Sequence, residues 1–282
     1  MPPEDRYAKP LQYEPGRLIR SVDEPIRVGS MLWVFTDPHR GYEFAYNRWY
    51  ERDHYYAGCI VGPNTLAGSR WAATARHKLA RLPETTAMPF DRLDGSYACL
   101  YFILDGHHDE WLDWSTPTLH ELYAADRGFQ HRTHYNTGVY MARWRAYRDP
   151  DPIPLELTLD HRYPGMVAFF VEPTAEQDAV DEWFDTNLPA WLTGSPVASA
   201  SAWTPTPLLD TKPDFVPGDP SGAERVLHVH FIEGDPLESW DHYRQLVEKL
   251  DASGTARVVF AAPFVQTVFG TDRYVDELWP SP

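Results

Sequence analysis

Two stretches of the chain have the same design: residues 31–38, MLWVFTDP, and residues 166–173, MVAFFVEP. Each is a run of apolar, strand-forming residues that stops at a proline, which is typical of a buried strand that gives way to a helix. The two runs are offset by the same distance at both ends, since 166 − 31 = 135 and 173 − 38 = 135. A constant offset of this kind indicates an internal repeat.

The segments after each run extend the repeat. A helical pattern comes next, with Trp49 in the first half and Trp183 in the second, and each is followed by a short strand that ends at Trp71 or Trp203. A third strand, a second helix and a fourth strand then follow in the same order. Each half is therefore predicted to run β-α-β-β-α-β, the order of a ferredoxin-like unit. Such a sheet carries its helices on one face, and a second copy can cover the other face.

The predicted fold class is α+β, with two ferredoxin-like repeats forming an intrachain pseudo-dimer, a dimeric α/β barrel within one chain. The predicted divisions are an N-terminal extension at 1–30, a first repeat at 31–148, a linker at 149–164 and a second repeat at 165–282. The proline-rich segment 204–224 is long for a hairpin connection, and its length suits a lid over an opening.

The overall composition limits the partners. The chain has 282 residues and a formal net charge of −16 at pH 7, which argues against nucleic acid or an anionic membrane as the main partner. We expect a cytoplasmic protein, because no signal-peptide pattern and no membrane-length apolar run occur. Cys59 and Cys99 lack metal-type spacing and are expected to be reduced and buried. Nucleotide-binding and serine-hydrolase motifs do not occur.

Several of these residues resemble a known family. The strand MLWVF, the pair Trp49–Tyr50, His54 four residues after the tyrosine and the strand end AGSRW are similar to the dimeric α/β barrel superfamily, in particular its EthD-like branch in a tandem form. The likeness covers residues 31–145 well and 166–270 more weakly. It implies an enzyme without an organic cofactor, since relatives include cyclases, dehydratases, decarboxylases and isomerases of polyketide or aromatic substrates. Other members of the superfamily bind haem.

The two halves differ in their polar residues. When the helices are aligned on their tryptophans, WYERDHYY faces WFDTNLPA, so His54 falls on Leu188 and Asp53 on Asn187. We therefore expect one catalytic site per chain, in the first half. There His54 would be the general acid–base, with Asp53 or a backbone carbonyl fixing its tautomer and Tyr50 as a second proton donor or acceptor. The alternative is a histidine that only complements the end of its helix.

Further side chains are predicted to bind substrate. Arg70 suits a carboxylate or phenolate, and strand alternation predicts that His134, Asn136 and Tyr140 share one face as a polar row. For each residue the alternative is core packing, a surface ion pair or exposure at a strand end. The full predicted set is Arg70, Trp71, Tyr101, His134, Asn136 and Tyr140.

The functional prediction is a cofactor-independent lyase, dehydratase, cyclase or isomerase acting on a small aromatic or polyketide-like molecule, with tyrosine or Arg70 stabilising an enolate or phenolate. No cofactor and no metal are expected, although His228 and His230 leave metal binding by strand 227–231 open. Two alternatives are a non-catalytic protein that binds an apolar aromatic ligand and a haem-dependent enzyme of the same superfamily. A homodimer of pseudo-dimers is also left open.

Overall fold

The fold was analysed in a computed structural model, which describes residues 7–217 and 224–280. Within these ranges the strands are β1 Val28–Pro38, β2 Thr65–Ala72, β3 Tyr97–Leu104, β4 Arg132–Tyr147, β5 Gly165–Pro173, β6 Val197–Thr206, β7 Val226–Ile232 and β8 Ala256–Gln266. The α-helices are α1 Glu43–Trp49, α2 Ala75–Ala80, α3 His108–Ala124, α4 Thr158–His161, α5 Gln177–Leu192 and α6 Trp240–Ser253. Helix α1 continues as the π-helical turns Tyr50–His54 and Tyr56–Ile60, and short 3-10 turns occur at Leu155–Leu157 and Pro236–Ser239.

The eight strands close into one barrel in the order β1-β3-β2-β8-β5-β7-β6-β4. All neighbouring strands are antiparallel. The order β4-β1-β3-β2 of the first half recurs in the second half as β8-β5-β7-β6. The halves join where β2 pairs with β8 and β4 with β6, and this closure removes the free strand edges that favour aggregation. The predicted α+β class is confirmed.

The inside of the barrel is packed with aromatic rings. Trp33 of β1 contacts Phe170 and Phe264 of the second half, with ring centroids 6.4 and 6.3 Å apart. Phe102 of β3 stacks on Trp203 of β6 at 5.5 Å. These rings are almost fully buried, so the barrel interior is a core that holds the two halves together.

The helices form a second layer outside the barrel. Along β1 the side chains alternate, so that Trp33 faces inward while Leu32 and Val34 face outward beneath α1 and α3. Both faces of β1 are therefore covered, which explains why its sequence is apolar almost throughout. Helices α5 and α6 cover the second half in the same way, with Phe184 and Leu246 packed on the outer face of its strands.

The segments before β1 and after β8 each contact the half of the barrel that they do not belong to in sequence. Near the N-terminus, Arg17 forms an ion pair with Asp185 of α5, in the second half. The segment after β8 returns to the first half, where Asp272 accepts a hydrogen bond from Arg48 Nε at 2.9 Å and Leu278 is fully buried. The C-terminal segment therefore lies on the first half, although the predicted second repeat at 165–282 includes it. In the two described ranges, no helix has the length and apolar character needed to cross a membrane.

Candidate functional site

A cavity of about 90 Å³ lies between the π-helical turns that follow α1, helix α3 and the outer face of β1 and β4. Most of its lining is apolar and aromatic, and its polar part consists mainly of two histidines, an arginine and a lysine. Residues 208–216, called the cover below, close it from outside. The apolar lining from the helices and strands includes Leu32, Val34, Cys59, Trp111, Leu112, Leu119 and Val139.

The cover is fastened mainly to α3. Phe215 stacks on the ring of Tyr123 with centroids 4.9 Å apart, and the carbonyl of Thr211 lies 2.9 Å from His120 Nε2. Lys212 Nζ donates to the carbonyl of Val216 within the cover. The predicted lid segment 204–224 thus lies over a cavity in its described part, while its residues 218–223 lie outside the described ranges.

His54 borders the cavity with an imidazole that is available to hydrogen-bond a ligand. Its ring stacks on Trp49 at 4.6 Å, five residues earlier, because the helix widens into a π-helical turn here. Burial and the nearby Arg132 cation lower the pKa of His54 to about 3. Among the described residues, neither ring nitrogen has a hydrogen-bond partner. The imidazole is therefore neutral at neutral pH, a weak proton acceptor but able to hydrogen-bond to a ligand.

Neighbouring residues set the position of the His54 ring. A Cβ atom at Gly58 would lie 2.9 Å from His54 Cε1, so glycine leaves the space that the ring occupies. Asp53 does not contact the ring, because its carboxylate pairs with Arg127 at 3.1 Å on the surface. The predicted role of Asp53 in fixing the tautomer therefore has no geometric basis.

His134 is fixed as a neutral tautomer. Arg132 Nε donates to His134 Nε2 at 2.8 Å, so the proton of the imidazole lies on Nδ1, 2.9 Å from Thr137 Oγ1. Burial, together with Arg132 and then His54, lowers the pKa of His134 well below its usual value. Both nitrogens of His134 are thus committed, in contrast to those of His54.

The predicted polar row on β4 does not form. Phe35 pairs with Asn136 and the next residue of β1 pairs with His134, which leaves Tyr135 as the extra residue of a β-bulge. One extra residue reverses the alternation of side chains between the two faces. His134 consequently borders the cavity, while Tyr140 packs in the barrel core and its hydroxyl donates to Asn136 Oδ1 at 3.2 Å.

The predicted tyrosines lie behind the cavity wall. The hydroxyls of Tyr50 and Tyr101 are 2.6 Å apart, and both side chains are buried. Burial raises both pKa values well above 10, so both phenols are protonated. Neither tyrosine borders the cavity. The buried free thiol of Cys59 does border it.

Arg70 and Trp71 are also core residues. The Arg70 guanidinium is fully buried, with its central carbon 3.8 Å from the ring centroid of Tyr97 and one nitrogen 3.6 Å from Glu51. Trp71 lies in the barrel and donates from Nε1 to Ser69 Oγ at 2.7 Å. Neither borders the cavity, so His54 and His134 are the predicted site residues that the fold brings together there.

Sequence reasoning missed Arg132, and it predicted the segment of the cover as a lid without naming Lys212 and Phe215 as site residues. Arg132 precedes His134 by two residues, in HRTH, and that spacing on a strand places both side chains on one face, so a signal was present. The cover carries Lys212 and Phe215 from a segment distant in sequence. A contact over such a separation leaves no local pattern.

The residues around the cavity fit neither a metal ion nor haem. In the part of the chain that the structure describes, no three His, Cys, Asp or Glu side chains are arranged to hold a metal ion. His54 offers the neutral imidazole that haem iron requires. However, the covered cavity of about 90 Å³ is far below the roughly 300–1,000 Å³ of typical cofactor pockets. The residues as arranged do not fit a haem macrocycle.

Comparisons with known proteins find relatives by structure. No protein-family model matches the chain, and no curated protein matches it. A putative chlorite dismutase matches with TM-score 0.50 and 10% identity, over 89% of this chain and 100% of that chain. An anthrone oxidase-like protein matches with TM-score 0.52 and 10% identity, over 86% and 95%. A mutant chlorite dismutase from Candidatus Nitrospira defluvii matches with TM-score 0.48 and 10% identity, over 90% and 97%.

The likeness to these neighbours extends over most of this chain and confirms the predicted fold class. The functional prediction is not confirmed. The neighbours are named as a dismutase and an oxidase-like protein, and the prediction of a cofactor-independent lyase, dehydratase, cyclase or isomerase is wrong. The low pKa of His54 agrees with this correction, because general acid–base catalysis is most efficient near the operating pH.

Proposed function

We propose that the chain binds a small, mostly apolar aromatic molecule in the covered cavity beside His54. The observation that carries the proposal is a mostly apolar cavity beneath the cover, with the imidazole of His54 at its edge and no hydrogen-bond partner on that ring among the described residues. Apolar walls favour an apolar body by about 25 cal/mol per Å² removed from water. The His54 ring adds one directional hydrogen bond, which is the usual composition of a small-molecule site.

Entry of the ligand requires the cover to move. The cavity of about 90 Å³ is smaller than the roughly 150 Å³ apolar cavity known to admit benzene. The cover is fastened by features that can be released without disturbing the barrel, namely the ring of Phe215 and the backbone contact of Thr211. Displacing them enlarges the site and leaves the sheet intact.

The first test is a titration with toluene and benzamide, followed by tryptophan fluorescence, since Trp111 lines the cavity and Trp49 stacks on His54. We expect a saturable change in the wild type. Ser115 also lines the cavity, so Ser115→Phe should fill it and abolish the response, whereas the matched control Ser115→Ala should preserve it. A wild type without saturation, or an unchanged response in Ser115→Phe, would contradict the proposal.

A haem-dependent oxidoreductase is the second candidate, favoured by the names of the structural neighbours and by the neutral His54. The size of the covered cavity counts against it. Absorption spectra of the purified protein and of a haemin titration separate the two candidates. A stoichiometric Soret shift that His54→Ala removes would support haem, and its absence in the wild type would exclude this candidate.

We also propose that the two halves are tandem copies of one ferredoxin-like unit, with the EthD-like branch as their nearest group. The repeated strand order and the constant offset of 135 residues (166 − 31) support the duplication. In the second half, fully buried Leu188 stands where the alignment has His54, which supports a single site per chain. Superposition of the halves in an experimental structure tests the duplication, and strands that fail to match one to one would contradict it.

A further inference from the structure

We propose that the ligand of the covered cavity is an anion, a small aromatic or apolar carboxylate or phenolate whose charge lies against Arg132. This inference rests on the proposed binding function and adds the chemical class of the ligand.

The cavity has the opposite charge to the rest of the protein. The chain has 41 acidic and 25 basic residues. The residues lining the cavity nevertheless include two cations, Arg132 and Lys212, and no Asp or Glu. An excess of positive charge in an apolar enclosure of an acidic protein favours a ligand that brings negative charge, since such an enclosure weakens charge screening.

Arg132 has only neutral acceptors among the described residues. It donates to His134 Nε2, to the carbonyl of Phe129 and to the hydroxyl of Tyr123. A guanidinium has five N–H donors, so two remain. The buried Arg145 differs, because it forms a close ion pair with a carboxylate of Glu156 at 2.7 Å.

Aromatic rings hold the Arg132 fork in place. Its central carbon lies 5.0 Å from the ring centroid of Trp49 and 4.9 Å from that of Phe215 on the cover. Arg132 is half-buried and its partners are all neutral, so an anionic ligand would add the stronger, charge-assisted kind of hydrogen bond. A carboxylate or phenolate also suits the fork geometry of arginine.

The cover brings the second cation. Lys212 borders the cavity and donates to a backbone carbonyl of the cover, a neutral acceptor. Closing the cover over an anion would therefore place a second positive charge near it. An inorganic anion would use the cations but not the apolar lining, so an organic body is expected.

The test compares benzoate with benzamide, its neutral isostere, in the wild-type protein at pH 7.5 by tryptophan fluorescence. We expect benzoate to bind at least about tenfold more tightly, the usual gain from one charge-assisted contact. Equal or weaker binding of benzoate, with benzamide still saturable, would overturn this inference and leave the cavity assignment intact. Failure of both ligands to bind would overturn the proposed function as well.

Three variants test whether Arg132 causes the preference for benzoate over benzamide. Arg132→Gln should reduce the affinity for benzoate to that for benzamide, and Arg132→Lys should keep part of the preference. The matched control is Arg127→Gln, which removes one charge from an exposed arginine paired with Asp53 and should leave the preference unchanged. Because Arg132 joins three groups, thermal unfolding is followed in parallel.

If Arg132→Gln does not fold, Lys212→Gln on the cover provides the decisive variant. It should lower the affinity for benzoate several-fold and leave that for benzamide unchanged. Sulfate, titrated as a competitor, should displace benzoate only weakly. Full retention of the benzoate preference in the folded variants, or tight competition by sulfate, would overturn the inference.

Discussion

Lowering the pH from 7.5 to 5.5 is expected to destabilise the protein, because two histidines are held neutral beneath α5 and α6. His228 and His230 are about 1% and 0% exposed. Burial lowers the pKa of His230 to about 3 and that of His228 well below its usual value. His228 Nδ1 and His230 Nε2 have no hydrogen-bond partner among the described residues.

Proton linkage gives the sign and the size of this loss of stability. A histidine in the unfolded chain has a pKa of about 6.5, so it binds a proton at a pH where the buried histidine of the folded chain stays neutral. Stability is complete above about pH 6.5 and falls as the pH decreases from there toward the folded-state values. Each of these two histidines lowers the free energy of unfolding by about 1.4 kcal/mol between pH 7.5 and 5.5, so the pair accounts for about 3 kcal/mol. His54 and His134, whose pKa values are also lowered, add a loss of the same sign. Most Asp and Glu side chains stay ionised at pH 5.5 and contribute little.

Urea unfolding followed by circular dichroism at pH 7.5, 6.5 and 5.5 measures this loss. His228→Phe should reduce the loss between pH 7.5 and 5.5 by about 1.4 kcal/mol, since the side chain already packs among Phe169 and Phe184. His161→Phe makes the same replacement at an exposed position and should leave the pH dependence unchanged. A wild type equally stable at pH 7.5 and 5.5, or a variant with the full loss, would refute the reasoning.

Three further outcomes are expected. Phe215→Ala should speed the hydrogen exchange of amides 208–216, measured by mass spectrometry, while the barrel strands stay protected. Equal protection of these amides in the variant and the wild type would contradict the role of Phe215 in holding the cover. Tyr50→Phe breaks a 2.6 Å contact with Tyr101 and should cost about 1–2 kcal/mol in urea unfolding, whereas an unchanged midpoint would show that the pair adds no stability. Glu156→Ala leaves the buried cation of Arg145 without its carboxylate and should cost about 3–5 kcal/mol; a loss below 1 kcal/mol would argue against a tight pair.

The order of the elements could be predicted because both faces of the strands are covered. A strand such as β1 then shows an unbroken apolar run, and a constant offset between two such runs indicates a repeated unit. The crossing of the chain ends had no such signal. Asp272 meets Arg48 through a contact between segments far apart in sequence, which no local periodicity reports.

The site was harder to predict for three physical reasons. The bulge at Tyr135 reverses the alternation of β4, and the π-helical turn changes the neighbours of His54. The cover reaches the site from another part of the chain. The pKa of His54 depends on burial and on Arg132, so its sequence motif alone predicts a general acid–base with a pKa near neutrality where the fold holds a weakly basic imidazole.

The central claim is that the covered cavity beside His54 binds an aromatic molecule. An anomalous difference map from crystals grown with 4-bromobenzamide tests it most directly, because bromine marks the position of the ligand. The account predicts a bromine peak between the π-helical turns after α1, helix α3 and the outer face of β1 and β4, with the cover displaced, and none in Ser115→Phe crystals. A bromine peak elsewhere alone, or none at a concentration that saturates the fluorescence change, would contradict the claim.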